Sequence, residues 1–323
     1  MFPRTRMRRV RLTEGLRKLA REVELSMNDL ILPLFVVSGR KRREPIHSLP
    51  GVERVSVDML AKEVESLSVP GVLLFGVPDD EGKDAEGTAA WAEEGLVPQA
   101  VKAIKAARPE LVTVTDVCAC AYTSHGHCGL VGESGRVMND PSLGILAKAA
   151  KAHAAAGVDL VAPSAMLDGQ VHAIRTALDE ADFPEVGIMS YAAKFASAFY
   201  GPFREAARSA PSFGDRASHQ LPLANAREAV RDALQDEAEG ADWLMVKPAL
   251  PYLDVIRRLR QASDLPIAAY QVSGEYAMLK LAGESGAISE REAVLESLTG
   301  MKRAGANAII TYYAREVSEW LRT

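Results

Sequence analysis

The 323-residue chain contains three cysteines, and all of them fall within eleven positions: Cys118, Cys120 and Cys128, in the run DVCACAYTSHGHC. Three thiolates form a soft donor set of the kind that suits Zn²⁺. A structural zinc normally takes four protein ligands, whereas three leave a position for water or substrate. The competing reading is a set of buried or redox-active thiols. His125 and His127 lie in the same loop and offer nitrogen donors, although loop histidines more often orient neighbours. If the strand stays extended through this stretch, Asp116, Cys118 and Cys120 share one face by the period-two rule.

Two lysines stand at the ends of apolar runs. Lys247 follows Trp243-Leu244-Met245-Val246 and precedes Pro248, and Lys194 sits within Ile188–Phe195. A lone lysine is usually a solvated surface group. Desolvation and a second nearby cation both lower an amine's pKa, and a neutral amine can attack a ketone to form an imine. One such lysine would serve an aldolase; two suggest two carbonyl molecules held side by side. Lys247 is expected at the strand terminus itself, with Lys194 a few residues beyond its strand, under a long loop. That loop carries Arg204 and Arg216, whose guanidinium forks suit carboxylates or, equally, surface ion pairs.

These groups need a scaffold that brings them to one place. Short apolar or β-branched runs predict strands at Leu30–Val37, Gly71–Val77, Leu111–Val117, Asp159–Ser164, Val186–Tyr191, Trp243–Lys247, Pro266–Val272 and Ala308–Tyr312. Helical periodicity predicts amphipathic segments between them at Asp58–Leu67, Trp91–Ala107, Pro141–Ala156, Gly169–Ala181, Ala224–Glu239, Pro251–Ala262, Glu275–Leu281 with Glu290–Ala304, and from Ala314 onward. Near-continuous apolar strands suit a parallel sheet buried on both faces. Eight βα repeats, with no Gly-x-Gly-x-x-Gly turn after the first strand, favour a closed (β/α)₈ TIM barrel over a doubly wound open sheet. The strand ends then gather Asp116, Ser164, Lys194, Lys247, Ser273 and Tyr312 at one mouth, where such barrels place their chemistry. Two long insertions, Pro78–Ala90 and Gly201–Pro222, are expected to act as lids or binding loops. The predicted division is an N-terminal arm over residues 1–28 and one catalytic barrel domain over 29–323.

Composition narrows the function further. A chain 48% hydrophobic and 25% charged can bury a large core, and a barrel of this length runs as one domain. No apolar run approaches the roughly 20 residues needed to span a bilayer, so no membrane partner is expected. An odd, low cysteine count without an apolar export segment points to reduced thiols in the cytoplasm. Residues 1–25 hold eight Lys and Arg against three Asp and Glu, a net of +5; since the whole chain is −5, the remainder carries −10. Arg4, Arg6, Arg8, Arg9 and Arg11 could suggest nucleic acid. No basic stripe or aromatic stacking platform follows them, so an arm docking on a neighbouring subunit is the better reading.

Taken together, DVCACAYTSHGHCG (116–129), MSYAAKFASAFYGPF (189–203), MVKPALPYLD (245–254), YQVSGEYAML (270–279) and IITYY (309–313) resemble the porphobilinogen synthase, or 5-aminolaevulinate dehydratase, family over essentially the whole length. The resemblance implies asymmetric condensation of two 5-aminolaevulinate molecules to porphobilinogen, with loss of two waters, in tetrapyrrole (haem) synthesis. By motif position, Lys247 resembles the lysine that binds the first molecule and Lys194 the partner for the second. Asp116 resembles the family's proton-handling carboxylate, and Ser164 its neighbouring hydroxyl. Ser273 and Tyr312 match residues that hold the first carboxylate, and Arg204, Arg216 and Gln220 match lid groups for the second. Tyr200 and Tyr270 complete the implied substrate-binding set. Cys118, Cys120 and Cys128 match the zinc-dependent branch, in which Zn²⁺ is catalytic. Many bacterial members carry Glu at an allosteric Mg²⁺ site between subunits; the aligned residue here is Asp232, a shorter carboxylate that can still hold a hydrated ion. The family is usually a homo-octamer whose arms embrace neighbouring barrels.

Two other classes remain to be separated from this one. A sugar-phosphate aldolase predicts one essential lysine and a phosphate loop near the last two strands, leaving the second lysine and the cysteines surplus. A zinc-binding or redox-sensing scaffold leaves both strand-end lysines unexplained.

Overall fold

A computed structural model describes residues 4–322, so the first three residues of the expected arm, and Thr323, lie outside the described residues. Eight parallel strands form the barrel: Leu30–Val37, Gly71–Val77, Val112–Val117, Leu160–Pro163, Gly187–Lys194, Trp243–Lys247, Ile267–Tyr270 and Ala308–Ile310. Each pairs with the next, and the first closes on the last through Leu30↔Ile309 and Ile31↔Ile310. The first, second and sixth strands match the predicted spans from end to end. All eight residues of the first strand and all seven of the second are buried, which is why their sequences run apolar without alternation. The predicted helices are present with ends moved by a few residues, except that Leu96–Ala107 begins five residues later than expected. Among the described residues no helix is long and apolar enough to cross a membrane.

Three features escaped the periodicity. A short antiparallel pair, Arg43–Pro45 with Glu53–Ser56, follows the first strand; it lies against that strand with Arg54 opposite Phe35. Its composition is charged, so no apolar pattern announced it. The loop after the fifth strand carries a 3₁₀ turn, Ala198–Tyr200, and then a helix, Gly201–Ala206. The N-terminal segment holds a 3₁₀ turn, Met7–Arg11, and a helix, Glu14–Leu19, whose Thr13 cap accepts from Leu16 N at 3.2 Å. Met7, Val10, Leu12 and Leu19 on this segment are exposed.

The fifth strand departs most usefully. It runs on to Lys194 rather than stopping at Tyr191, because it contains a bulge. Its register against the sixth strand is Ser190↔Leu244 and then Ala193↔Val246, so three residue steps on one side face two on the other. Ser190 points outward, its hydroxyl donating to Asp236 on the helix Ala226–Ala238. Strict alternation would send residue 194 outward too. The extra residue reverses the phase and turns the Lys194 side chain into the barrel, level with Lys247.

Candidate active site

The bulge makes Lys194 and Lys247 Cα partners across the fifth and sixth strands. This corrects the expectation that Lys194 lies farther out; both lysines are buried, at 6% and 3% exposure. Lys194 Nζ donates to Ser164 O at 2.5 Å, which ties it to the end of the fourth strand. Lys247 Nζ sits among aromatic rings, with centroids at 4.2 Å (Tyr270), 4.8 Å (Phe203), 5.0 Å (Tyr191) and 5.5 Å (Tyr200). Burial lowers its pKa from the usual lysine value to about 7, and the Lys194 charge pushes the same way. The drop corresponds to roughly 5 kcal/mol against the charged form. Ring faces attract a cation, but that gain is small beside the loss of water, so desolvation wins. The Lys247 carbonyl is pinned from two sides, by Phe195 N at 2.9 Å and by the Tyr200 hydroxyl at 3.1 Å.

Asp116, near the end of the third strand, faces this pair. Burial and then the adjacent Cys120 raise its pKa to about 6, while Lys194, the Ser164 hydroxyl and Lys247 pull it down. A carboxyl balanced in this way can exchange a proton near neutral pH. The Tyr191 hydroxyl faces the Asp116 carboxylate yet reaches no partner at good hydrogen-bond geometry.

The three cysteines meet beside these groups: their sulfur atoms all lie within 4.8 Å of one another, and all three residues are buried. They form no disulfide. Their gathering does not come from an extended strand, as the alternation argument expected. The strand ends at Val117 and the chain turns, with Tyr122 N and Thr123 N both donating to Ala119 O. The turn folds Cys120 back so that its N–H approaches Cys118 Sγ at 3.5 Å, and the following loop returns Cys128. Among the described residues this is the one close group of three or more His, Cys, Asp and Glu side chains of the sort that could hold a metal ion. His125 and His127 stay outside it. Their Nε2 atoms lie 3.1 Å from Ala85 O and Phe213 O, tying the cysteine loop to both long insertions.

Arg216 reaches the cysteines from the lid. It is buried, and its Nη2 donates to Gly126 O at 2.9 Å and to Ser209 O. Burial works against its charge, but Cys128, Cys120 and Cys118 hold the proton on and raise its pKa overall. Gln220 is buried with its amide nitrogen unpartnered. Arg204 is exposed on the short lid helix and is not drawn into the chamber. Ser273 Oγ accepts from Phe203 N at 2.9 Å, joining the lid helix to the start of the helix Ser273–Glu284. Tyr270 and Tyr312 bring their hydroxyls to 3.4 Å of each other.

Asp232 lies apart from the lysine chamber. It lines a cavity of about 930 Å³ shared with Asp168, Glu228, Asp236 and Glu239, while Gln220 and Ala192 form its inner wall. Neither lysine and none of the cysteines lines this cavity. Burial, and then Glu228, raise the Asp232 pKa.

Sequence reasoning passed over Tyr191, Phe203 and Phe75, which wall in Lys247, and also Glu275. Tyr191 was within reach, since Met189 and Tyr191 share the inward face of a buried strand. Glu275 is fully buried and accepts from Val272 N and Leu250 N, both at 2.6 Å, and from Ala249 N at 3.4 Å. It therefore fastens the turn just after Lys247. A single glutamate in a helical pattern carries no signal for such a contact.

A sequence profile described as "ALAD: Delta-aminolevulinic acid dehydratase" matches residues 4–320. A protein of Synechocystis sp. named delta-aminolevulinic acid dehydratase is 51% identical, with 100% of both chains covered. Its namesake from Escherichia coli is 51% identical over 97% of each chain. Among solved structures, delta-aminolevulinic acid dehydratase (porphobilinogen synthase) of Toxoplasma gondii, in complex with its reaction product porphobilinogen, superposes with a TM-score of 0.96. It is 45% identical, covering 98% of this chain and 92% of that one.

Proposed function

The chain belongs to the delta-aminolevulinic acid dehydratase family and is a lyase of that family, and we propose that it condenses two 5-aminolaevulinate molecules to porphobilinogen through imines on Lys247 and Lys194. The observation that carries this reading is the register pairing of two buried lysines in one barrel mouth. Each amine can condense with a substrate ketone, expelling water and leaving a carbon that is easily deprotonated beside it. Joining the two substrates forms one carbon–carbon and one carbon–nitrogen bond, and both ketone oxygens leave as water. Lys247, with its pKa near 7, is a ready nucleophile at neutral pH. Asp116, with Ser164 and both lysines as neighbours, is placed to shuttle protons between them. Ser273, Tyr312, Tyr200 and Tyr270 are read as surrounding the first substrate. Arg216 and Gln220 are read as holding the second one's carboxylate, with Arg204 joining them only if the lid moves inward when that substrate binds.

Cys118, Cys120 and Cys128 are the residues that would hold Zn²⁺. Three converging thiols are a donor set suited to zinc, and the neighbouring Arg216 charge favours their thiolates. A zinc held there supplies Lewis-acid polarisation of a substrate oxygen. At Asp232 the reading extends to a regulatory Mg²⁺, since several carboxylates lining a roomy, open cavity suit an ion that keeps its waters. The assembly is read as a cytoplasmic homo-octamer, with the basic arm lying on a neighbouring barrel.

Incubating the purified chain with 5-aminolaevulinate tests the reaction directly. Formation of the pyrrole, with two substrates consumed per product, is expected. Cleavage of a sugar phosphate with no pyrrole formed would replace this reading with an aldolase.

A further inference from the structure

The charged hairpin after the first strand has no part in the site described above, yet it meets the lid at its base. Arg54 is buried at 7% exposure, which is rare for an arginine. Its Nη1 pairs with Glu44 at 3.7 Å, a long ion pair. Its shorter bonds go to the lid: the guanidinium donates to Ala206 O at 2.7 Å and to Glu205 O at 2.6 Å. These carbonyls end the lid helix Gly201–Ala206, where a cation is favoured; Glu205 O also accepts from Arg208 N at 3.2 Å, so Arg54 shares it with the turn that follows. The neighbouring contacts hold the same point. Arg208 pairs with Glu44 at 3.0 Å and with Asp79 at 3.3 Å, and Lys83 Nζ donates to Arg208 O at 3.1 Å. The other side of this helix presents Phe203 to Lys247 and carries Arg204.

We infer that Arg54 is a positioning residue for the lid: by capping the carbonyl end of Gly201–Ala206 it holds Phe203 over Lys247 and sets the register of the segment running on to Arg216. The surrounding ion pairs are partly exposed, so each contributes little. The buried, charge-assisted bonds from Arg54 dominate. The inference rests on the proposed condensation for its kinetic consequence but not for its structural one. A residue that serves only general stability would lower folding temperature without separating binding of the second substrate from imine formation.

The test compares Arg54→Ala, Arg54→Lys and the wild type as full-length protein. Arg54→Ala is expected to raise the apparent KM for 5-aminolaevulinate roughly tenfold or more. Borohydride trapping of a first molecule on Lys247 should fall by a smaller factor than KM rises, because Phe203 is one of several rings around that amine, whereas complete loss of trapping would signal unfolding. Arg54→Lys, keeping one donor, should restore part of the KM. Trypsin cleavage after Arg208 should become faster in Arg54→Ala at temperatures where the barrel remains folded, and this arm reads the lid whether or not the chain makes a pyrrole. Should Arg54→Ala fail to fold, Glu44→Gln, which loosens Arg208 and the far side of Arg54, should shift KM and cleavage the same way by a smaller factor. Wild-type KM together with wild-type cleavage in the variants would overturn the inference. Faster cleavage without any pyrrole from the wild type would keep the lid role and discard the condensation.

Discussion

Lys194 and Lys247 are register partners on adjacent parallel strands, and both point into the same chamber. The Lys194 charge raises the cost of protonating Lys247 beside it. The depressed pKa of Lys247 follows from burial first and from its partner second. The proposed reaction uses the pair as one unit, and each consequence below can be measured.

The rate of imine formation at Lys247 should rise with pH through about 7, because the group is neutral, and nucleophilic, above its lowered pKa. Initial rates of borohydride trapping between pH 5.5 and 9 would record this. A midpoint near the free-lysine value of about 10 would mean that the chamber does not desolvate the amine.

Zinc should be required. A tight, soft chelator should abolish turnover, added Zn²⁺ should restore it, and the restored protein should carry about one zinc per chain. Cys128→Ala should lose both metal and activity. Full turnover by zinc-free protein would contradict the role given to the three cysteines.

Arg216→Ala should raise the apparent KM roughly tenfold or more, the effect expected for losing a charge-assisted carboxylate contact. Trapping of one substrate on Lys247 should survive, because Arg216 reaches the cysteine loop and the lid and has no hydrogen bond to the lysine chamber. Unchanged steady-state kinetics would remove Arg216 from the second subsite.

Much of this architecture was legible in the sequence because it depends on burial. Strands walled on both sides must be apolar throughout, and Leu30–Val37, Gly71–Val77 and Trp243–Lys247 were readable to the residue. The strand-end polar groups stood out against them. What stayed hidden depends on single-residue geometry. The bulge between Ser190 and Ala193 has no compositional mark, so alternation alone leaves Lys194 beyond its strand. The turn at Ala119 gathers Cys118 and Cys120 by a route that alternation cannot describe. Arg54 and Glu275 are charged residues whose partners are backbone atoms distant in sequence, and periodicity reports nothing about such partners.

The arm should matter for assembly. It carries five arginines between Arg4 and Arg11 and exposes Met7, Val10 and Leu12, while the rest of the chain is acidic, which favours docking by complementary charge. Deleting residues 1–11 should reduce the particle mass seen by light scattering. An unchanged mass would make the arm a tail with no part in assembly.

The central claim is that two lysines divide one reaction, and covalent trapping tests it most directly. Lys247 is proposed to react first, because aromatic rings enclose its amine and burial lowers its pKa to about 7, whereas Lys194 donates to the Ser164 carbonyl beside it. With limiting 5-aminolaevulinate and borohydride, mass spectrometry should find the reduced adduct mainly on Lys247. Lys247→Ala should lose nearly all trapping and turnover, and Lys194→Ala should lose turnover yet still trap one molecule. An adduct chiefly on Lys194, or near-normal turnover in either variant, would contradict the account.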